Sequence, residues 1–120
     1  MTVPEFSPAQ QEQLLRFRKL EQVIQNLRVQ LSEIDRAISE MEATRKELQK
    51  LDDETQVWKN VGSVMFPKKA QDVLKELTER GELLEIQRKT ISSQEKQNLE
   101  RFEELQKRLT QELGSPTSTN

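Results

Sequence analysis

This sequence has no cysteine, no histidine and no tyrosine, and only three glycines among its 120 residues. Without cysteine there is no disulfide or thiolate chemistry; without histidine there is no imidazole base, and Cys/His metal sites are excluded as well. Aromatic residues make up 4% and hydrophobic residues 32%, less apolar mass than a compact globular core requires. No run approaches the ~18 apolar residues of a membrane span. The opening Met-Thr-Val-Pro-Glu-Phe-Ser-Pro lacks the charged-then-apolar layout of a secretion signal. A Gly-rich phosphate loop is missing too. An enzyme is therefore not expected, nor a metal, nucleotide or other cofactor, and the expected location is the cytosol. Charge of one sign is also lacking: 19 Lys and Arg face 21 Asp and Glu, interspersed, for a net −2. No basic stripe offers itself to nucleic acid, and neither nucleic acid nor membrane is an expected partner.

What is present is heptad spacing. From Phe17 a 3, 4 alternation runs through Leu20, Ile24, Leu27, Leu31, Ile34, Ile38, Met41, Arg45 and Leu48. A second runs through Ala70, Leu74, Leu77, Gly81, Leu84, Arg88, Ile91, Glu95, Asn98, Phe102, Leu105 and Leu109. Apolar positions at a mean step of 3.5 keep one seam against a partner helix. The first helix is expected over about residues 8–51, opened by Ser7 as cap, Pro8 at the first helical position and Gln10 completing a capping box. The second is expected over about 68–113, stopped by Gly114 and Pro116, with 114–120 as a disordered tail. Similar lengths predict a mainly α fold: a long antiparallel two-helix coiled coil folded back on itself, one structural unit over residues 1–120.

Between the helices the composition changes. Val57, Trp58, Val61, Val64, Met65 and Phe66 are β-branched, aromatic or otherwise apolar, and Gly62-Ser63 sits among them, so residues 55–66 predict one short β-hairpin. An isolated hairpin is marginal in water, and its apolar residues would be exposed. Pairing hairpins from several chains into a shared sheet or barrel removes both problems. Pro67 cannot donate to a ladder, so the second strand should be short or lie at an edge.

Several features admit two readings. Arg88, Glu95 and Asn98 interrupt the second seam and suit either register control or deliberate weakness. Gly81 either permits close helix approach or is a tolerated weak spot. Off the seam, Leu14, Leu15, Val23, Val29, Leu99 and Leu113, with Phe6 before the helix, are more apolar residues than two helices can bury. They mark either a binding surface or ordinary scattered surface residues. Asp52-Asp53-Glu54 reads as a solvated acidic turn, and Lys68-Lys69 as a solvated pair or one facing an acidic neighbour in an assembly.

The stretch Leu51-Asp52-Asp53-Glu54-Thr55-Gln56-Val57-Trp58-Lys59-Asn60-Val61-Gly62-Ser63-Val64-Met65-Phe66, set between two heptad helices, resembles the β-class subunits of the prefoldin family. The acidic turn is similar to that of the eukaryotic subunit-1 type, and an archaeal β subunit fits equally. Trp58 stands where Tyr is more usual. The resemblance implies a hexamer of two α-class and four β-class chains, with hairpins forming intersubunit β-barrels and coiled-coil arms hanging from them. It implies an ATP-independent holdase that binds non-native proteins, such as actin and tubulin in eukaryotes, and passes them to a group II chaperonin. Val57, Trp58, Val61, Gly62, Val64, Met65 and Phe66 would then serve oligomerisation. Phe6, Leu14, Leu15, Phe17, Leu20, Phe102, Leu105, Leu109 and Leu113 would form client-binding tips. The competing expectation is an adaptor coiled coil for one folded partner, for which a polar turn would suffice in place of the hairpin.

Overall fold

The computed structural model describes residues 6–113. The chain runs α1 (Pro8–Gln49), β1 (Gln56–Val61), β2 (Val64–Lys69) and α2 (Ala70–Leu113). The expected tail at 114–120 lies outside the described residues.

Helix α1 opens on the expected capping box. The Ser7 N–H donates to Gln10 Oε1 at 2.9 Å and the Gln10 N–H to Ser7 Oγ at 3.1 Å, so two otherwise unpaired donors are satisfied reciprocally. The helix closes two residues earlier than expected. The Lys50 and Leu51 N–H groups donate to carbonyls three residues back, at 3.2 and 3.0 Å. That tightened last turn runs into Asp52-Asp53, residues suited to turns.

Of the two readings of Pro67 the edge one holds: the second strand is not cut short but runs on through Pro67 to Lys69, past the 55–66 expected for the hairpin. The reason lies in the register. Gly62, at φ +61°, and Ser63 form the two-residue turn, with Val61 opposite Val64 and Trp58 opposite Pro67. Positive φ at the first turn position alone is the type II′ pattern, for which glycine is favoured. Bonded and non-bonded pairs alternate along an antiparallel ladder. The Ala70 N–H donates to the Thr55 carbonyl at 2.8 Å. Counting from that bond, Val57/Lys68, Lys59/Phe66 and Val61/Val64 are bonded pairs, and Trp58/Pro67 is not. Pro67 therefore sits where its missing N–H would have pointed away from β1.

Consequently α2 begins at Ala70 rather than Lys68. The acidic turn caps it, because the Gln71 N–H donates to the Asp53 carbonyl at 3.1 Å while Ala70 bonds Thr55.

The chain divides into two compact units, a terminal one built from residues up to Gln30 and from Ile91 onward, and a central one, Leu31–Thr90. Each carries antiparallel stretches of both helices, and every seam position named from the sequence is buried or half-buried. In the terminal unit Ile24, Leu27 and Leu109 are buried. The Phe17 and Phe102 rings stack at 4.5 Å between centroids. In the central unit Met41, Leu48 and Ala70 are buried. Gly81 is buried there too, and a Cβ added to it would lie 2.6 Å from Met41 Cε. Gly81 therefore answers to close approach: the Met41 side chain occupies the space beside its Cα.

Two of the polar seam residues reach across to the opposite helix. Glu95 Oε2 accepts from Arg28 Nε at 2.8 Å in the terminal unit. Arg88 Nε donates to Asp35 Oδ1 at 2.6 Å in the central unit, and that hydrogen bond raises the Arg88 pKa. Asn98 turns back onto its own helix and donates to the Gln94 carbonyl at 2.7 Å. Pairs so exposed add little to stability, because water and salt screen them. They favour the register reading of Arg88 and Glu95, since each pair forms at one helix offset only.

Candidate interaction surfaces

The hairpin belongs to the central unit, and alternation along its strands sorts the side chains onto two faces. Trp58, Met65 and Pro67 share one face; Val57, Lys59, Val61, Val64, Phe66 and Lys68 share the other. At the base of the second face Lys59 and Lys68 both donate to Glu76 of α2, Lys59 Nζ to Oε2 at 2.8 Å and Lys68 Nζ to Oε1. Those two hydrogen bonds, Lys59 first, lower the Glu76 pKa from 4.5 to about 2. Beside them Lys69 Nζ meets Glu54 Oε2 at 2.9 Å, and this hydrogen bond raises the lysine pKa. The acidic neighbours of Lys68-Lys69 are thus within the chain, and no partner is needed to explain the pair.

These bonds hold the base of the hairpin to α2 and leave the rest uncovered. Trp58 is 58% exposed, Met65 56%, Val61 53%, Val64 51% and Phe66 47%. Gly62 is exposed at the turn, and Val57 alone of the seven expected oligomerisation residues is half-buried. Apolar groups on both faces of a two-stranded sheet cannot be buried by one helix. The remaining area, with an unpaired backbone edge on each strand, suits pairing with another chain.

The residues expected at the client-binding tips divide into two sets. Phe17, Leu20, Phe102, Leu105 and Leu109 pack in the seam of the terminal unit, half-buried apart from the buried Leu109. Leu14 is half-buried beside them, whereas Phe6 and Leu15 face solvent at 40% and 54% exposure. Leu113 is the last residue of α2, and its side chain lies outside the described residues. Val23 and Val29, off the seam, are also exposed in this unit.

Sequence reading passed over Leu83 and Ile86, each 62% exposed on α2 in the central unit. They lie three residues apart and off the heptad, a signal that was there to find. Among the described residues no cluster of His, Cys, Asp or Glu is fit to hold a metal ion, and no helix is long and apolar enough to cross a membrane.

Comparison with known proteins gives concordant results. A family model described as prefoldin subunit matches residues 11–115. The prefoldin subunit beta of Archaeoglobus fulgidus is 40% identical over 112 residues, covering 93% of this chain and 96% of that protein. That of Methanothrix thermoacetophila is 40% identical over 110 residues, covering 92% of each. The crystal structure of the prefoldin beta subunit from Thermococcus strain KS-1 superposes with a TM-score of 0.83 at 24% identity, covering 95% of this chain and all of that one. The last similarity speaks to fold; the sequence relatives speak to family.

Proposed function

This chain belongs to the prefoldin family, and on that premise we propose that it is a β-class subunit of a hetero-oligomeric, ATP-independent chaperone. It assembles with α-class and further β-class subunits through its hairpin, holds non-native proteins on apolar surface of the terminal unit, and passes them to a group II chaperonin in the cytosol. The observation that carries the assembly reading is the exposure of Trp58, Val61, Val64, Met65 and Phe66 on a hairpin whose base is already fixed by Glu76. An adaptor would leave that apolar area without a purpose.

The physics of holding follows from weakness and number. Single apolar contacts release readily, and several contributed by one assembly raise the effective concentration of each further contact. Exchange then needs no nucleotide. Phe6 and Leu15 are accessible for such contacts as the chain stands; Phe17, Leu20, Phe102, Leu105 and Leu109 become accessible only where the terminal seam opens.

The test is native mass with and without an archaeal α-class prefoldin subunit, followed by aggregation of a denatured client without ATP. A complex of several chains that suppresses aggregation supports the proposal. A chain that stays monomeric or dimeric and protects nothing overturns it.

A further inference from the structure

Leu83 and Ile86 are the most exposed large apolar residues among those described, at 62% each, ahead even of Trp58 at 58%. Three residues apart on a helix, they stand about 60° from one another around its axis and share one face. The seam beside them is set by Leu77, Gly81, Leu84 and Arg88, so the pair forms the outward crest of α2.

A groove runs along each flank of that crest within the central unit. One, of about 490 Å³, has Leu83 at its rim and the half-buried Val73 and Leu77 along it. The other, of about 640 Å³, has Ile86 at its rim, with Ile38, Met41 and Gly81 deeper in. Helical spacing puts Val73 and Arg80 of the first groove and Thr78 and Glu85 of the second on opposite sides of the seam.

Charge does not choose what covers this surface. Glu79, Glu82 and Glu85 stand close to Arg80 and Lys89, and neither sign dominates. Area and shape do choose. Two side chains fall far short of the roughly 20–30 residues a side that a stable protein interface engages, which excludes a second copy or a folded partner seated here alone. A flat folded surface would also rest on the crest and leave both grooves empty. An extended chain would not. A helix is about 10 Å across, and a chain rising ~3.3 Å per residue crosses it in about three residues. Such a segment lays its backbone over Leu83 and Ile86 and one apolar side chain into each groove.

We infer that Leu83 and Ile86 form a second holding site, in the central unit, whose occupant is an extended apolar segment of a non-native chain; this rests on the holding role proposed above. Unlike Phe17 or Leu105, the pair is accessible with the seam closed. One contact of this size is weak by itself. It acts on a client already held at the terminal unit, whose remaining segments meet the crest at high effective concentration.

The test uses the complex with an archaeal α-class prefoldin subunit, and dye-labelled, reduced and alkylated lysozyme, which stays unfolded, as client. Leu83→Ser with Ile86→Ser should weaken binding at least fivefold by fluorescence anisotropy, with the mass and helicity of the complex unchanged. Unchanged affinity overturns the inference. Loss of the complex with helicity retained also overturns it, because the pair then serves a contact between subunits. If the natural complex does not bind this lysozyme at all, the holding role itself falls. A second arm leaves the crest nearly intact. The chain has no cysteine, so Ile86→Cys creates a single attachment point for an environment-sensitive dye, added before assembly. Its emission should move to the blue when unlabelled alkylated lysozyme is added, and not when the complex forms. A shift on assembly, or none on adding the client, overturns the inference.

Discussion

The stability gained by replacing Gly81 with Ala should depend on what stands at position 41. Alanine is favoured over glycine inside a helix by about 1 kcal/mol, so by propensity alone Gly81→Ala stabilises α2. The new Cβ, however, falls 2.6 Å from Met41 Cε and 3.2 Å from Sδ, well inside contact distance. Both atoms belong to the flexible end of the Met41 thioether, so a small swing of that end relieves the contact, although the side chain as a whole is only 9% exposed. Moving such an end aside costs about 1 kcal/mol, the low end for overpacking, so Gly81→Ala in the natural chain should be near neutral. Met41→Ala alone should cost about 2 kcal/mol, the low end for buried Met→Ala, since a two-helix seam collapses more easily than a globular core. With Ala at 41 the obstruction is gone, and Gly81→Ala should then stabilise by about 1 kcal/mol. The coupling is about 1 kcal/mol, readable from urea denaturation of all four proteins at one fixed concentration. If Gly81→Ala stabilised equally in both backgrounds, the contact would carry no energy, and Gly81 would be only a tolerated weak spot.

Glu76→Gln should loosen the hairpin base. A pKa lowered from 4.5 to about 2 corresponds at face value to about 3 kcal/mol, and with 37% of the side chain in solvent, screening reduces the expected loss to about 1 kcal/mol. Because the folded pKa lies below the unfolded one, this contribution is complete above about pH 4.5 and lost as pH falls towards 2. The gap between natural and Glu76→Gln melting temperatures should close over that window; a gap that persisted at pH 2 would contradict the bridge. Gly62→Ala should cost about 1–2 kcal/mol through the positive φ of the turn, measured by thermal unfolding, and an unchanged midpoint would refute the strain. Trp58→Asp with Val64→Asp should abolish assembly with an α-class subunit while the helices persist, as read by native mass and circular dichroism. Phe6→Ser with Leu15→Ser should reduce client protection in the aggregation assay without changing the oligomer mass, and full protection would rule out those two residues as holding surface.

Much of this architecture can be read from the chain before any coordinates. In a two-helix seam apolar spacing decides burial almost by itself, which is why Phe17 through Leu48 and Ala70 through Leu109 all fall at buried or half-buried positions. Gly62-Ser63 likewise announces the turn. The end of β2 was not legible because Pro67 stops a strand only when its nitrogen faces the ladder, and that parity depends on a register counted from the turn. The partners of Arg88, Glu95, Lys68 and Lys69 were hidden for a related reason: long charged side chains reach a full turn from their own position, and spacing does not say in which direction. For the holding surface, spacing already set Leu109 in the seam and Leu15 off it, but it could not separate Leu14 and Leu99, off the seam yet half-buried, from Phe6 and Leu15, in solvent.

The two charged pairs across the seam have a consequence for errors in folding. A seven-residue repeat is ambiguous by its nature, since sliding one helix by a heptad restores the apolar pattern and leaves hydrophobicity almost no means to tell the frames apart. Here Arg28 and Asp35 are one heptad apart on α1, and Arg88 and Glu95 one heptad apart on α2, with the signs arranged so that Arg28 meets Glu95 and Asp35 meets Arg88. A slip in one direction would set Arg28 against Arg88; a slip in the other would set Asp35 against Glu95. Both neighbouring frames replace an attraction with a repulsion. Four surface charges, each of small energetic worth, thus act together as an error-detecting code, and the native frame is the one among the three that reads without fault.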